Sequence, residues 1–152
     1  LADTRAGADS LEARAGRKAM LTLLEREGPQ GVAREMMPKL LGKTTRAENP
    51  DAEETVRRLI KRHSPAGIRD AIVRMMDRPD STPLLATISV PTLVLVGDED
   101  TLTPPAEAEA IARAVPDASL VRIAGAGHLS NLERPAAFDA SVEDFLGRFA
   151  RG

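Results

Sequence analysis

Cysteine is absent from the 152 residues, which excludes disulfides, thiolate catalysis and cysteine-built zinc sites. Histidine occurs only twice, as His63 and His128, which leaves little for a histidine-built metal centre. Tryptophan and tyrosine are missing and phenylalanine occurs three times, so the aromatic platforms on which nucleic-acid bases stack are lacking. Charge of one sign is lacking too. Twenty-one Lys and Arg face 23 Asp and Glu, a net −2, which argues against nucleic acid as a partner. No apolar run approaches the roughly 20 residues needed to cross a bilayer, so no membrane partner is expected. Internal repeats and low-complexity tracts are absent. The start lacks the basic-then-apolar pattern of a signal peptide, and a cytoplasmic location is the expectation. What is present is 42% hydrophobic and 29% charged residues, the balance of a folded chain of about one domain.

The chain opens without Met, on Leu1-Ala2-Asp3-Thr4. This apolar stub running into a polar turn reads as the tail of a core strand, residues 1–4. Residues 5–83 read as helical. Met20, Leu21, Leu23 and Leu24 mark one helix, ended by Gly28-Pro29. Val32, Met36, Met37, Leu40 and Leu41 mark a second, and Gly42 with the polar stretch to Asn49 closes it. Asn49-Pro50 and Ser64-Pro65 each place a capping side chain before a proline at the first helical position. Behind the second of these, Ile68, Ala71, Ile72, Met75 and Met76 follow the amphipathic spacing.

From residue 84 to 152 the period changes. Thr92-Leu93-Val94-Leu95-Val96 is apolar without alternation, the pattern of a strand covered on both faces, as in a parallel sheet. A helix opens at Pro104-Pro105, and Ser119–Ile123 is a second strand. Pro135 starts a last helix with Phe138, Val142, Phe145, Leu146 and Phe149 on one face, which predicts docking against a sheet. The order strand, helix, strand, helix implies parallel pairing and an α/β class.

Sites in open α/β sheets lie beyond the carboxyl ends of the strands. Two loops occupy that position: Gly97-Asp98-Glu99-Asp100-Thr101-Leu102-Thr103-Pro104 and Gly125-Ala126-Gly127-His128-Leu129-Ser130-Asn131-Leu132-Glu133. Neighbouring strands lie about 4.8 Å apart, so a carboxylate of the first loop can meet the imidazole of the second. Such a carboxylate fixes the imidazole tautomer and stabilises its charged form, which is the supporting half of a nucleophilic triad.

These residues resemble the α/β-hydrolase fold. The stretch Val90–Pro105, with its apolar strand, Gly97-x-x-Asp100 and following Pro104, is similar to the family's acid strand and loop. Gly125–Pro135 is similar to its histidine loop. Residues 5–83 then resemble the helical cap inserted before the acid strand. The whole chain corresponds to a C-terminal portion: cap, then the last two parallel strands and their helices. The esterase and 3-oxoadipate enol-lactonase branch is the nearest in character. The resemblance implies Asp100 as the acid and His128 as the general base, with no cofactor and no metal. Asp98 and Glu99 compete with Asp100, and Asp3 stands where some members take their acid instead.

The family orders its triad Ser, acid, His, with the Ser in a Gly-x-Ser-x-Gly elbow before the cap. None of the serines here (10, 64, 81, 89, 119, 130 and 141) stands in that motif. The expectation is therefore a serine hydrolase of carboxylic esters or lactones whose nucleophile lies outside this chain. The missing N-terminal part, as a separate polypeptide, would be its partner, and a small ester or lactone its substrate. Met36, Met37 and Leu129 are the candidates for an apolar substrate pocket, with ordinary core as the competing role for methionines at helical spacing. Glu133 either braces the histidine loop or sits solvated at a helix start. His63, beside Lys61 and Arg62, reads as solvated. Competing readings are a dehalogenase, epoxide hydrolase, cofactor-free haloperoxidase or C–C hydrolase on the same scaffold. A further one is a non-catalytic binding or dimerisation module using an open strand edge.

Overall fold

The computed structural model describes residues 1–149; the last three residues of the 84–152 segment lie outside the described residues. Four helices come first: α1 (Leu11–Leu40), α2 (Lys43–Glu48), α3 (Pro50–Arg62) and α4 (Pro65–Met76). Helix α1 is two helical arms meeting at Gly28, whose φ of 64° leaves the right-handed helical region, with Pro29 opening the second arm. The break falls where the Gly-Pro pair predicts it. Ser10, Asn49 and Ser64 each accept a backbone N–H at a helix start, from Ala13, Ala52 and Gly67. Helix α2 was not expected. Its sequence, KTTRAE, carries no apolar stripe, and its only buried residue is Thr45.

A 3₁₀ turn (Thr82–Thr87) leads to β1 (Thr92–Gly97), α5 (Pro105–Ala114), β2 (Ala118–Ile123), the single turn α6 (Ser130–Glu133) and α7 (Pro135–Gly147). Strands β1 and β2 pair in parallel, from Thr92 opposite Ala118 to Gly97 opposite Ile123. On the other edge of β1, Ala2 forms a parallel bridge with Leu95. There Leu95 N–H donates to Leu1 O at 2.8 Å and Asp3 N–H to Leu95 O at 2.9 Å.

Strand β1 is covered on both faces. Val94 and Val96 pack with Ala108, Ile111 and Val115 of the α5 side. Leu95 packs with Ile123 and Ala126, and Leu93, Phe138 and Val142 close over that cluster from the α7 side. Helix α7 docks only through its first turns, since Leu146 and Phe149 are more than half exposed. Phe145 and Phe149 meet edge to face at 5.2 Å. A third cluster joins Met37, Leu41 and Val56 of the helical region to Leu129 and Leu132 of the histidine loop. Among the described residues no helix is long and apolar enough to cross a membrane.

Candidate active site

Parallel pairing sends the chain out of β1 and β2 at the same end of the sheet, so the acid and histidine loops emerge side by side. Asp98 ties them together by accepting Gly125 N–H at 2.8 Å. Asp100 lies deeper, 3% exposed. Its Oδ1 accepts the N–H groups of Leu102 at 2.8 Å and Thr103 at 2.9 Å. Its Oδ2 accepts the Thr103 hydroxyl at 2.7 Å and meets His128 Nδ1 at 2.9 Å. A carboxylate accepting from residues two and three positions on is a local turn pattern, so Thr103 was findable from the spacing Asp100-x-x-Thr103. Sequence reasoning passed over it.

Burial works against ionisation of Asp100, but the bonds from His128 and Thr103 outweigh it and hold the carboxyl below its ordinary range. Burial likewise works against charging His128. The Asp100 bond and the negative charges of Asp100, Asp3 and Glu133 prevail and raise its pKa. With Nδ1–H given to Asp100, the His128 lone pair stands on Nε2, which has no hydrogen-bond partner among the described residues. The side chain keeps 25% exposure. The arrangement is a base with a fixed tautomer and an open accepting face.

The other candidates fall elsewhere. Glu99 turns away to accept Thr44 N–H at 2.8 Å and the Thr44 hydroxyl at 2.5 Å. Asp3, at φ 43°, makes no bond to His128; it accepts Gly97 N–H at 3.0 Å and both the N–H and hydroxyl of Ser130, at 3.1 and 2.6 Å. Burial raises its pKa, the bonds from Ser130 and Gly97 oppose this, and the charge of Asp100 adds to the rise. Ser130, two positions from His128, is thus committed to Asp3. Met37 is 4% exposed in the apolar cluster that Leu129 covers, while Met36 and Leu129 keep partial exposure. None of the three lines the 650 Å³ cleft between the arms of α1, which Met20, Leu23, Glu35 and Lys39 border. His63 is exposed at the end of α3. Glu133 is buried rather than solvated and braces the histidine loop, accepting the N–H groups of Gly127 and Leu129; its bond from Gly42 N–H was not foreseen. Among the described residues no group of three or more His, Asp or Glu is placed to hold a metal ion.

The profile of the alpha/beta hydrolase family matches residues 2–140. The chain belongs to the alpha/beta hydrolase family. A thermophilic esterase from Thermogutta terrifontis superposes with a TM-score of 0.92 at 41% identity, covering 97% of this chain and 54% of that one. The enol-lactonase from Burkholderia xenovorans gives 0.84 at 28% identity, covering 97% and 55%. A pimeloyl-[acyl-carrier protein] methyl ester esterase of Neisseria meningitidis is 29% identical over 135 residues, 78% of this chain and 43% of that protein. This alpha/beta hydrolase chain therefore spans about half the length of these three relatives. Its two strands, cross-connected by α5, are the C-terminal part of the family's sheet.

Proposed function

We propose that this chain supplies the acid and the general base of a serine hydrolase that cleaves a carboxylic ester or a lactone. The Asp100–His128 pair at 2.9 Å, with Nε2 left to accept a proton, is the observation that carries the reading. A serine from a Gly-x-Ser-x-Gly elbow outside these 152 residues would attack the carbonyl carbon. His128 Nε2 takes the hydroxyl proton as the Ser–C bond forms and returns it to the alkoxide as the C–O bond of the ester or lactone breaks. Water then attacks the acyl-enzyme, giving His128 its proton. The acid leaves, and the proton passes back to the serine. Asp100 stays ionised throughout and stabilises each imidazolium.

Residues 5–83 act in this reading as the cap over the acyl or lactone group, and 84–149 belong to the catalytic core. Of the pocket candidates, Met36 and Leu129 keep surface to offer a substrate, and Met37 packs behind them. Similarity to proteins named esterase and enol-lactonase favours ester and lactone substrates over the halide and epoxide chemistries of the same scaffold.

The test is complementation. The chain is co-expressed with an N-terminal hydrolase segment chosen for its Gly-x-Ser-x-Gly elbow, and the purified pair is assayed on p-nitrophenyl butyrate and dihydrocoumarin. Turnover should appear, and His128→Ala should lower kcat by about 10⁴–10⁶. A folded pair without turnover, or turnover untouched by His128→Ala, would overturn the reading.

A further inference from the structure

We propose that Glu133 is a positioning residue, whose buried carboxylate ties the helical cap to the histidine loop and so sets the place of His128. The residue is 3% exposed. Its Oε2 accepts Gly42 N–H at 2.8 Å, from the end of the cap helix α1. Its Oε1 accepts Gly127 N–H at 2.9 Å and Leu129 N–H at 3.1 Å. Gly127 and Leu129 flank His128 on either side. The amide of His128 itself donates to Leu40 O at 3.0 Å, again on the cap. Three consecutive amides around the imidazole are therefore all committed, two to Glu133 and one to the cap directly.

Two further observations point the same way. The cap and the loop touch backbone to backbone: a Cβ on Gly127 would fall 2.3 Å from Gly42 N, so no side chain separates them. The acid loop is held by the same cap segment, because Glu99 bonds both the N–H and the hydroxyl of Thr44. Residues 40–44 thus hold both loops of the Asp100–His128 pair through two carboxylates. Among the described residues no Lys or Arg pairs with the Glu133 carboxylate; Arg134 reaches only the backbone carbonyl of Glu133. A charge is costly to bury unless hydrogen bonds satisfy it, and here backbone donors do so from two distant segments, one of them 91 positions from Glu133. An amide side chain cannot replace it, because one of its ends would present N–H to N–H.

The charged groups facing the imidazole are Asp100 from the acid loop, Asp3 from the N-terminal segment beside β1 and Glu133 from α6, with the Thr103 hydroxyl at 3.2 Å from Nδ1. All three carboxylates favour the protonated ring. Naming His128 the base rests on the hydrolase reading above; the tie itself does not, and its test needs no turnover.

The chain holds only two imidazoles, and His63 is exposed far along the sequence, so the ring of His128 is read directly by NMR. In the unsubstituted chain the amides of Gly42, Gly127 and Leu129 should exchange slowly. In Glu133→Gln the side-chain oxygen stays with Gly127 and Leu129, and the NH₂ group faces Gly42 N–H. Exchange at Gly42 and at His128 should then accelerate together, about ten-fold or more. The His128 titration midpoint should fall. Glu133→Asp keeps the charge and shortens the reach. It should release the same amides while keeping the His128 midpoint nearer its original value, which separates position from charge. Unchanged exchange at His128 in both variants, or loosening confined to Gly42, would overturn the proposal. Should neither variant fold, rapid exchange of the three amides in the unsubstituted chain would overturn it and slow exchange would support it. A failed complementation assay with these NMR results intact would remove the hydrolase reading alone.

Discussion

Asp100→Asn tests the carboxylate–imidazole pair at one atom. The Asn oxygen can keep both backbone bonds that Oδ1 makes, to Leu102 and Thr103. The NH₂ group then stands where Oδ2 takes the Thr103 hydroxyl and His128 Nδ1. The hydroxyl can rotate and accept from it. The imidazole must instead turn Nδ1 into an acceptor, which moves the proton to Nε2 and blocks the atom meant to receive one. Bonds to an ionised group contribute about 1.5–3 kcal/mol, and this pair is strongest while Asp100 is charged and His128 protonated. Asp100 has a lowered folded pKa: burial opposes ionisation and the His128 and Thr103 bonds overcome it. Its contribution is present above the unfolded value of 3.8 and is lost as pH falls through the lower folded value. His128 has a raised folded pKa: burial opposes its charge, and the Asp100 bond and nearby carboxylates overcome it. Its contribution is complete below the unfolded value of 6.5 and is lost as pH rises through the higher folded value. The stability gap between the unsubstituted chain and Asp100→Asn should therefore be about 1.5–3 kcal/mol near about pH 5 and narrow by about pH 9. Denaturant unfolding at the two pH values reads it. A gap of equal size at both, or a wider one at alkaline pH, would refute the charge assignment. In the complemented enzyme the same substitution should cost about 10⁴ in kcat.

Two other substitutions probe the same framework. Thr103→Val keeps the volume but removes the hydroxyl that reaches Asp100 Oδ2 at 2.7 Å, and should cost about 1–2 kcal/mol in a urea titration; no loss would mean that the bond is idle. Gly127→Ala would place its Cβ 2.3 Å from Gly42 N and 2.8 Å from Leu41 C, both backbone, and should destabilise by about 1–3 kcal/mol. A thermal melt unchanged from the original would show that the two segments are not in contact.

Much of the architecture was legible because its causes are local. The Gly28-Pro29 break, the Asn49 and Ser64 caps and the amphipathic stripe of α4 act within one or two helical turns. The unalternating run of β1 announced a strand covered on both faces, and the structure covers it with α5 on one side and α7 on the other. Helix α2 was hidden because KTTRAE shows no apolar period, and its residue Thr45 is buried against the histidine loop, bonding Gly125 O at 3.3 Å. Helix α7 docks against the sheet as its apolar face predicts, through Phe138 and Val142, while Leu146 and, just past the helix, Phe149 lie beyond the two strands and stay exposed.

The candidate site divides along the same line. Loop spacing and family resemblance singled out Asp100 and His128, since both stand at fixed offsets from their glycines. The rest of their setting is built from partners far apart in the chain. Asp3 meets Ser130 across 127 positions and Glu133 meets Gly42 across 91. Sequence alone determined the long helices and both strands, though not α2, and which loops would carry a carboxylate and an imidazole, because periodicity, capping and turn chemistry are short-range. Only the tertiary structure decided what the other acidic side chains do, with Asp3, Asp98, Glu99 and Glu133 bracing the backbone. That choice depends on burial and on where N–H groups converge, and neither exists until distant segments have packed together.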